Sequence, residues 1–304
     1  MILKHTVDET DNGEKVLTIL KRRLHCSGTL VKRLKSNNTI FLNGKPTMSN
    51  VPVKKGDLIS IAIFEHRIND NVPPQDIPID IIFEDEFMIV VNKSAGIAIH
   101  PAGNYIHSTL ANALVYYFWK KGIDMTIRPV GRLDRNTSGI AIFAKNSHVM
   151  SRMIFSLNQE DAEKTYLGLV HSTPPNDSGL IDLPIKRAED SIISRVTAED
   201  GKPSQTIYRV LEKYEKASLI EFKLLTGRTH QIRLHSSEIG CPLVGDGIYG
   251  DDTATSHIID RHALHCSTVS FTHPFTDEYI TITAPLPEDF QNAVSHYIKT
   301  ANNP

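Results

Sequence analysis

The stretch Gly131-Arg132-Leu133-Asp134-Arg135-Asn136-Thr137-Ser138-Gly139 sets polar residues between apolar ones, with Ile127 and Val130 before it and Ile140 to Ala144 after it. In extended backbone, alternation sends Arg132 and Asp134 to one face and Leu133 to the other, while Asn136 to Gly139 supply turn chemistry. An ordinary turn with a surface Arg–Asp pair fits the same letters, because such pairs are common and weak. Two further segments tip the balance. Lys164-Thr165-Tyr166 opens a strand candidate, and Leu225 to His235 reads L-T-G-R-T-H-Q-I-R-L-H. The second places Arg228, His230, Gln231 and Arg233 between a strand and a helix, a concentration of donors beyond what packing needs.

Outward from this centre, Ile79 to Phe83, Met88 to Val91, Ile140 to Ala144, Thr165 to Val170, Thr206 to Leu211 and Ser218 to Leu225 read as strands. Thr109 to Lys121 reads as a helix with Leu110, Leu114, Val115 and Phe118 inward, and His230 to Ile239 as another. The class is α+β, with a mixed, largely antiparallel central sheet and flanking helices and loops. At 304 residues the chain exceeds the usual size of one core, so a main domain with a smaller companion is expected. Glu14 to Leu24 and Leu30 to Leu34 carry helical spacing, Thr39 to Leu42 and Asp57 to Ile63 read as strands, and Asn43-Gly44 is a turn signal. This small α/β unit is set at 1–66. Pro73, Pro74 and Pro78 favour extended, exposed backbone. A linker is therefore set at 67–78, the main domain at 79–295, and a tail at 296–304.

The net charge of −2 gives no general support for binding a polyanion, so any such case rests on local charge. Lys15, Lys21, Arg22, Arg23, Lys32, Arg33 and Lys35 supply it in the first two helices, although a solvated helical face is the ordinary explanation of such a run. Cys26, Cys241 and Cys266 lie far apart without a C-x-x-C pair, which argues against a disulfide framework or a structural zinc site. His257, His262, His265 and Cys266 lack a recognised ligand spacing, and Gly245-Asp246-Gly247 lacks the Gly-Lys-Ser/Thr of a phosphate loop. Neither a signal peptide nor an apolar run of roughly 20 residues is readable. A cytoplasmic protein, without metal or membrane association, is expected, with a monomer as the default.

The three segments resemble the RluA-like pseudouridine synthases, which convert uridine in structured RNA to its carbon-linked isomer. Arg132-Leu133-Asp134 followed by Thr137-Ser138-Gly139 is similar to that family's first motif, Lys164-Thr165-Tyr166 to its second, and Gly227 to His235 to its third. The resemblance implies Asp134 as the catalytic carboxylate, Tyr166 as the ring against the target base, and Arg233 as partner of the Asp. It further implies that Arg132, Thr137, Lys164, Arg228, His230 and Gln231 bind substrate. Asn92-Lys93, Gly96, Pro242 to Gly250 and Arg261 to His265 extend it over roughly 79 to 285. Gly131 stands where many members carry His, and Ser94 where Pro follows the Lys. The unit at 10–64 resembles the RNA-binding domain named after the fourth protein of the small ribosomal subunit, which implies Lys32, Arg33 and Lys35 as phosphate contacts.

The chemistry agrees with this reading. Breaking and rejoining a glycosidic bond is redox-neutral and asks for no cofactor. A carboxylate can attack the sugar or the base, or act as a base at the sugar, and a neighbouring Arg favours its charged form. A glycosidase would need two placed acids, and only one Asp is borne by a motif. A noncatalytic RNA-binding or ribosome-assembly factor would keep the basic unit and lose the catalytic groups. The expected partner is structured RNA, with ribosomal RNA favoured over transfer RNA.

Overall fold

A computed structural model describes residues 1–64, 72–101, 106–250 and 258–301. Residues 67–71 of the expected linker, His257 and the end of the expected tail lie outside them. In chain order the elements are β1 (Ile2–Thr6), α1 (Val16–Arg22), α2 (Gly28–Ser36), β2 (Ile40–Leu42), β3 (Lys45–Pro46), β4 (Leu58–Ala62), β5 (Asp80–Glu84), β6 (Met88–Lys93) and α3 (Leu110–Lys120). Then follow β7 (Arg128–Pro129), β8 (Ser138–Ala144), α4 (Ser147–Ser156), β9 (Glu163–His171), β10 (Ser178–Asp182), β11 (Ile185–Arg187), β12 (Arg195–Thr197), β13 (Gln205–Lys213) and β14 (Ala217–Leu224). The chain closes with α5 (Gln231–Glu238), β15 (Leu264–Thr272), β16 (Tyr279–Thr283) and α6 (Glu288–Ala301).

The central sheet runs β10-β13-β14-β9-β15-β8-β6-β5, with β16 added to β15 and β7 to β8. Among its pairings only β8 with β15 is parallel, so the sheet is mixed and largely antiparallel. Strands β6 and β8 are apolar almost throughout because both of their faces are covered. Met88, Val90, Ile140 and Ile142 pack with Val149 and Met153 of α4, whereas Ile89, Val91, Ala141 and Phe143 pack with Leu110, Leu114 and Phe118 of α3. Helix α6 covers the far end of the sheet through Phe290, Ala293 and Tyr297 against Leu169 and Leu219.

The amino-terminal unit opens with a strand ahead of its two helices. The alternation of Ile2 to Thr6 is that strand's pattern, and β1 pairs with β4 in a sheet ordered β1-β4-β2-β3. The expected basic surface is smaller than its count of cations. Arg22 and Arg23 both bind Asp11, whose side chain is wholly buried, and His5 Nε2 lies 2.8 Å from Asp11 Oδ2, which Arg23 Nε also reaches. Burial alone would raise the Asp11 carboxyl, but these hydrogen bonds hold it at about 2. Lys32 and Lys35 of α2 are exposed, and Arg33 is half-buried.

The segment from Pro73 to Ile79 takes no regular structure, yet it is fastened to α3. Asn112 Nδ2 donates to Pro73 O at 2.8 Å, Ser108 N to Gln75 Oε1 at 2.6 Å, and Tyr116 Oη to Asp76 at 3.0 Å. The small unit meets the large one where Met1, Phe87 and Phe275 join both cores.

His148 of α4 stands beside this seam, edge-on to Phe275, and its buried Nε2 has no hydrogen-bond partner among the described residues. Burial first, then the charges of Arg152, His25 and Arg33, push its pKa down to about 4. The unfolded chain therefore takes up a proton near pH 6.5 that the folded one refuses until about pH 4. Stability contributed at this position is complete above the higher value and falls across that window, by on the order of 3 kcal/mol. His148→Phe should flatten this fall, which urea midpoints at about pH 7 and about pH 5 would register.

Candidate active site

Asp134 lies on the loop that enters β8. Thr137 N donates to Asp134 O at 3.1 Å, closing a turn, while Leu133 packs into the cores on both sides of the sheet. Gly131 has φ +90°, a left-handed conformation suited to glycine and costly for the His that the family often carries there. At the other end of the loop, Gly139 has φ +105°, and a Cβ there would lie 2.2 Å from Cys266 O. Only glycine lets β15 approach closely enough to pair.

Lys93, at the end of β6, pins the loop from behind. Its Nζ donates to Ser94 O, Ile97 O and Arg135 O at 3.0, 2.9 and 2.8 Å, and the side chain is fully buried. Burial pushes its pKa down to about 7, but three carbonyl acceptors match the three hydrogens of an ammonium, which favours the charged form. Arg135 Nε returns a bond to Gly96 O at 2.8 Å. Ser94, in the place of the family's Pro, thus takes part through its backbone carbonyl.

Arg233 approaches Asp134 from the first turn of α5. Its Nη1 lies 3.4 Å from Asp134 Oδ2, whereas its Nε and Nη2 each reach Asp246 at 2.7 Å. The expected partner of Asp134 therefore has a second, closer partner. The Asp246 side chain is wholly buried and also accepts from the backbone N–H of Ile248 and Tyr249. Burial would raise its carboxyl, but Arg233 holds it below the usual range. His230 caps α5 with φ +60°, its Nε2 3.7 Å from Asp134 Oδ2 and its Nδ1 3.0 Å from Tyr249 Oη.

Tyr166 sits on β9 opposite Cys266 of β15 and is buried. Burial, then Cys266 and the charge of Asp134, raise its pKa well above the ordinary value, which keeps the phenol neutral. Lys164 lies two residues away on the same side of β9, half-buried, with its pKa lowered by burial. Arg132 and Arg228 are exposed, and Arg228 Nε donates to Pro203 O at 3.2 Å.

Two expected substrate contacts have their polar atoms engaged elsewhere. Thr137 is buried, with Oγ1 2.8 Å from His262 Nε2. Gln231 is buried too: its amide donates to Gln205 O and Thr206 Oγ1 and accepts from Arg228 N and Thr226 Oγ1. Both hold the loops in shape, since neither retains a side-chain group directed outward. His265 is likewise internal, bonding Ser138 Oγ and Ala284 O, and no group of three or more His, Cys, Asp or Glu able to hold a metal gathers among the described residues. No helix among them is long and apolar enough to cross a membrane.

The sequence reading passed over Lys93, Asp246 and Tyr249 as site residues. Lys93 is a lone cation ending an apolar strand, and Asp246 follows an apolar run beside two glycines. A charge in such a setting asks for a buried partner.

The Asp134 carboxylate, the Arg233 guanidinium 3.4 Å from it and the buried Tyr166 phenol on which its charge bears come from three segments far apart in sequence. The RNA pseudouridylate synthase family model matches residues 87–238. An "uncharacterized RNA pseudouridine synthase", YhcT of Bacillus subtilis, is 34% identical over 297 residues, 97% of each chain. Ribosomal large subunit pseudouridine synthase D of Zymomonas mobilis is 36% identical over 230 residues, 72% of each. The solved human RNA pseudouridylate synthase domain containing 1 shares the fold with a TM-score of 0.60 at 24% identity, covering 76% of this chain and 98% of its own. The site belongs to an isomerase of RNA nucleosides. The chain is a member of the RNA pseudouridine synthase family, in its RluA-type branch.

Removing one partner of a buried ion pair leaves the other uncompensated, at a cost of about 3–5 kcal/mol. Asp246→Asn should lower the unfolding free energy by that amount, read as a fall in the urea midpoint with the slope unchanged, and should release Arg233 from its orientation.

Proposed function

We propose that this pseudouridine synthase acts on uridines in structured RNA, ribosomal RNA ahead of transfer RNA, with Asp134 as its catalytic carboxylate. The observation that carries the reading is the convergence of three segments far apart in sequence: Arg233 lies 3.4 Å from Asp134, and the charge of Asp134 bears on Tyr166. In this reading the carboxylate attacks the sugar or the base, or removes a proton from the sugar. Tyr166 forms an apolar wall for the extruded uracil, and Arg233 supplies a positive edge beside the carboxylate. In the same reading Arg132, Lys164 and Arg228 meet the RNA backbone or the vacated stack. Similarity to an enzyme named for the large ribosomal subunit supports the choice of ribosomal RNA.

The amino-terminal unit is read as an RNA-binding domain of the S-four type, ending in the linker at 67–78 before the catalytic domain at 79–295. Lys32 and Lys35 support this reading as exposed cations on α2. Arg33 stands with them, although its charge also bears on His148 at the seam. The protein would work as a monomer in the cytoplasm, without a cofactor, because the isomerisation exchanges no electrons.

Joining carbon 5 of uracil to the sugar expels the hydrogen at that carbon, so ribosomal RNA transcribed with uridine tritiated there reports turnover. Asp134→Asn should abolish tritium release and leave RNA retention on filters intact. Persistence of near-normal release would defeat the reading. Changing Lys32 and Lys35 to Ala should weaken binding and reduce the slope of log affinity against log salt by roughly 2.

A further inference from the structure

Tyr249 accounts for more than one contact near the carboxylate. Its ring lies under the Arg233 guanidinium at 5.3 Å, its hydroxyl accepts from Arg195 N at 2.8 Å, and the same hydroxyl lies 3.0 Å from His230 Nδ1. Burial raises its pKa, so the phenol keeps its hydrogen and needs an acceptor for it. The backbone N–H of Arg195 is a donor and cannot serve, whereas a ring nitrogen with a free lone pair can. Among the described residues the acceptor within reach of the Tyr249 O–H is His230 Nδ1, and that bond fixes the histidine hydrogen on Nε2.

That Nε2 faces Asp134 Oδ2 at 3.7 Å, and Arg233 Nη1 faces the same oxygen at 3.4 Å. Both distances exceed those of a tight charge-assisted hydrogen bond, as is common for catalytic groups before substrate arrives. Both donors nevertheless converge on one carboxylate oxygen.

We infer that His230 is a positioning residue for Asp134: locked by Tyr249 as its Nε2–H tautomer, it holds Oδ2 together with Arg233 and turns Oδ1 toward the substrate. This goes beyond the role of substrate contact and rests on Asp134 being the catalytic carboxylate. The groups facing His230 are Asp134 from the loop before β8, Arg195 from β12, Arg233 from α5, Asp246 and Tyr249 from the loop after α5, and His262 before β15. Burial, with Arg233 and Arg195, opposes a second proton on the ring, and Asp134 favours one. An imidazolium would also force the Tyr249 hydroxyl to turn away and leave its hydrogen without an acceptor.

Nitrogen NMR of the whole protein carrying labelled histidine reads the tautomer directly, with the His230 signals identified by their loss in His230→Gln. At neutral pH the wild type should show an unprotonated Nδ1 and a protonated Nε2, and Tyr249→Phe should show a mixture of tautomers. A protonated Nδ1 in the wild type, as the other tautomer or as imidazolium, would overturn the inference. In tritium release, His230→Leu should lower kcat roughly 10- to 100-fold with KM little changed. His230→Gln, which keeps an N–H at the same reach, should recover most of that loss. Equal losses in the two variants, or a rise in KM alone, would make His230 a substrate contact or a structural residue. Full release by Asp134→Asn would instead strike the underlying assignment of the carboxylate, and the tautomer measurement would stand apart from it.

Discussion

The Arg233–Asp246 pair is the constraint around which the site is organised. A guanidinium offers its donors in one plane, and two of them are taken by a carboxylate that the protein has fully enclosed. What remains of that plane is turned toward Asp134. The arrangement converts a long, mobile side chain into a fixed positive edge. Because its opposite charge is already supplied by Asp246, the buried Arg233 does not depend on Asp134 for compensation. Such pairs are poor sources of net stability, and their value lies in geometry.

Several structural layers serve this edge. Helix α5 begins at the residue that also faces the carboxylate, so the first turn of one helix delivers both His230 and Arg233. On the opposite side, Lys93 ties the loop bearing Asp134, through Arg135 O, to the segment after β6, through Ser94 O and Ile97 O, and Ser138 and Gly139 pair with β15. The carboxylate thus stands between two independently anchored supports. Its two flanking donors, Arg233 Nη1 and His230 Nε2, stand 3.4 and 3.7 Å from Oδ2, beyond the length of a tight charge-assisted hydrogen bond.

Much of this was legible in the letters. The apolar runs at Met88 and Ile140 marked central strands because burial on both faces removes the alternation of a half-exposed one, and the Asp134, Tyr166 and Arg233 segments stood out as polar chemistry amid apolar surroundings. The opening strand was missed because Ile2 to Thr6 is short and its alternation was weighed only against a signal peptide. Thr137 and Gln231 turn their polar groups to internal partners. A motif gives residue types near a site but not the direction of each side chain, and hydroxyls and amides serve equally for internal bonds. Asp246 and Lys93 could be found only by asking what satisfies a buried charge, since the partner of Asp246 lies 13 residues away and one of the three acceptors of Lys93 lies 42 away. The basic face was overcounted because Asp8 and Asp11, which engage Arg22 and Arg23, lie outside the helices that bear those cations.

The parallel pairing of Ser138 and Gly139 with His265 and Cys266 joins positions separated by 127 residues. Contacts of such long range form late, since the loop between them must close first. During synthesis the carboxylate loop would emerge, and even acquire its neighbours on β6, well before the strand that completes it leaves the ribosome. A nascent chain therefore cannot complete the pairing that fixes the Asp134 loop until most of its length has been made.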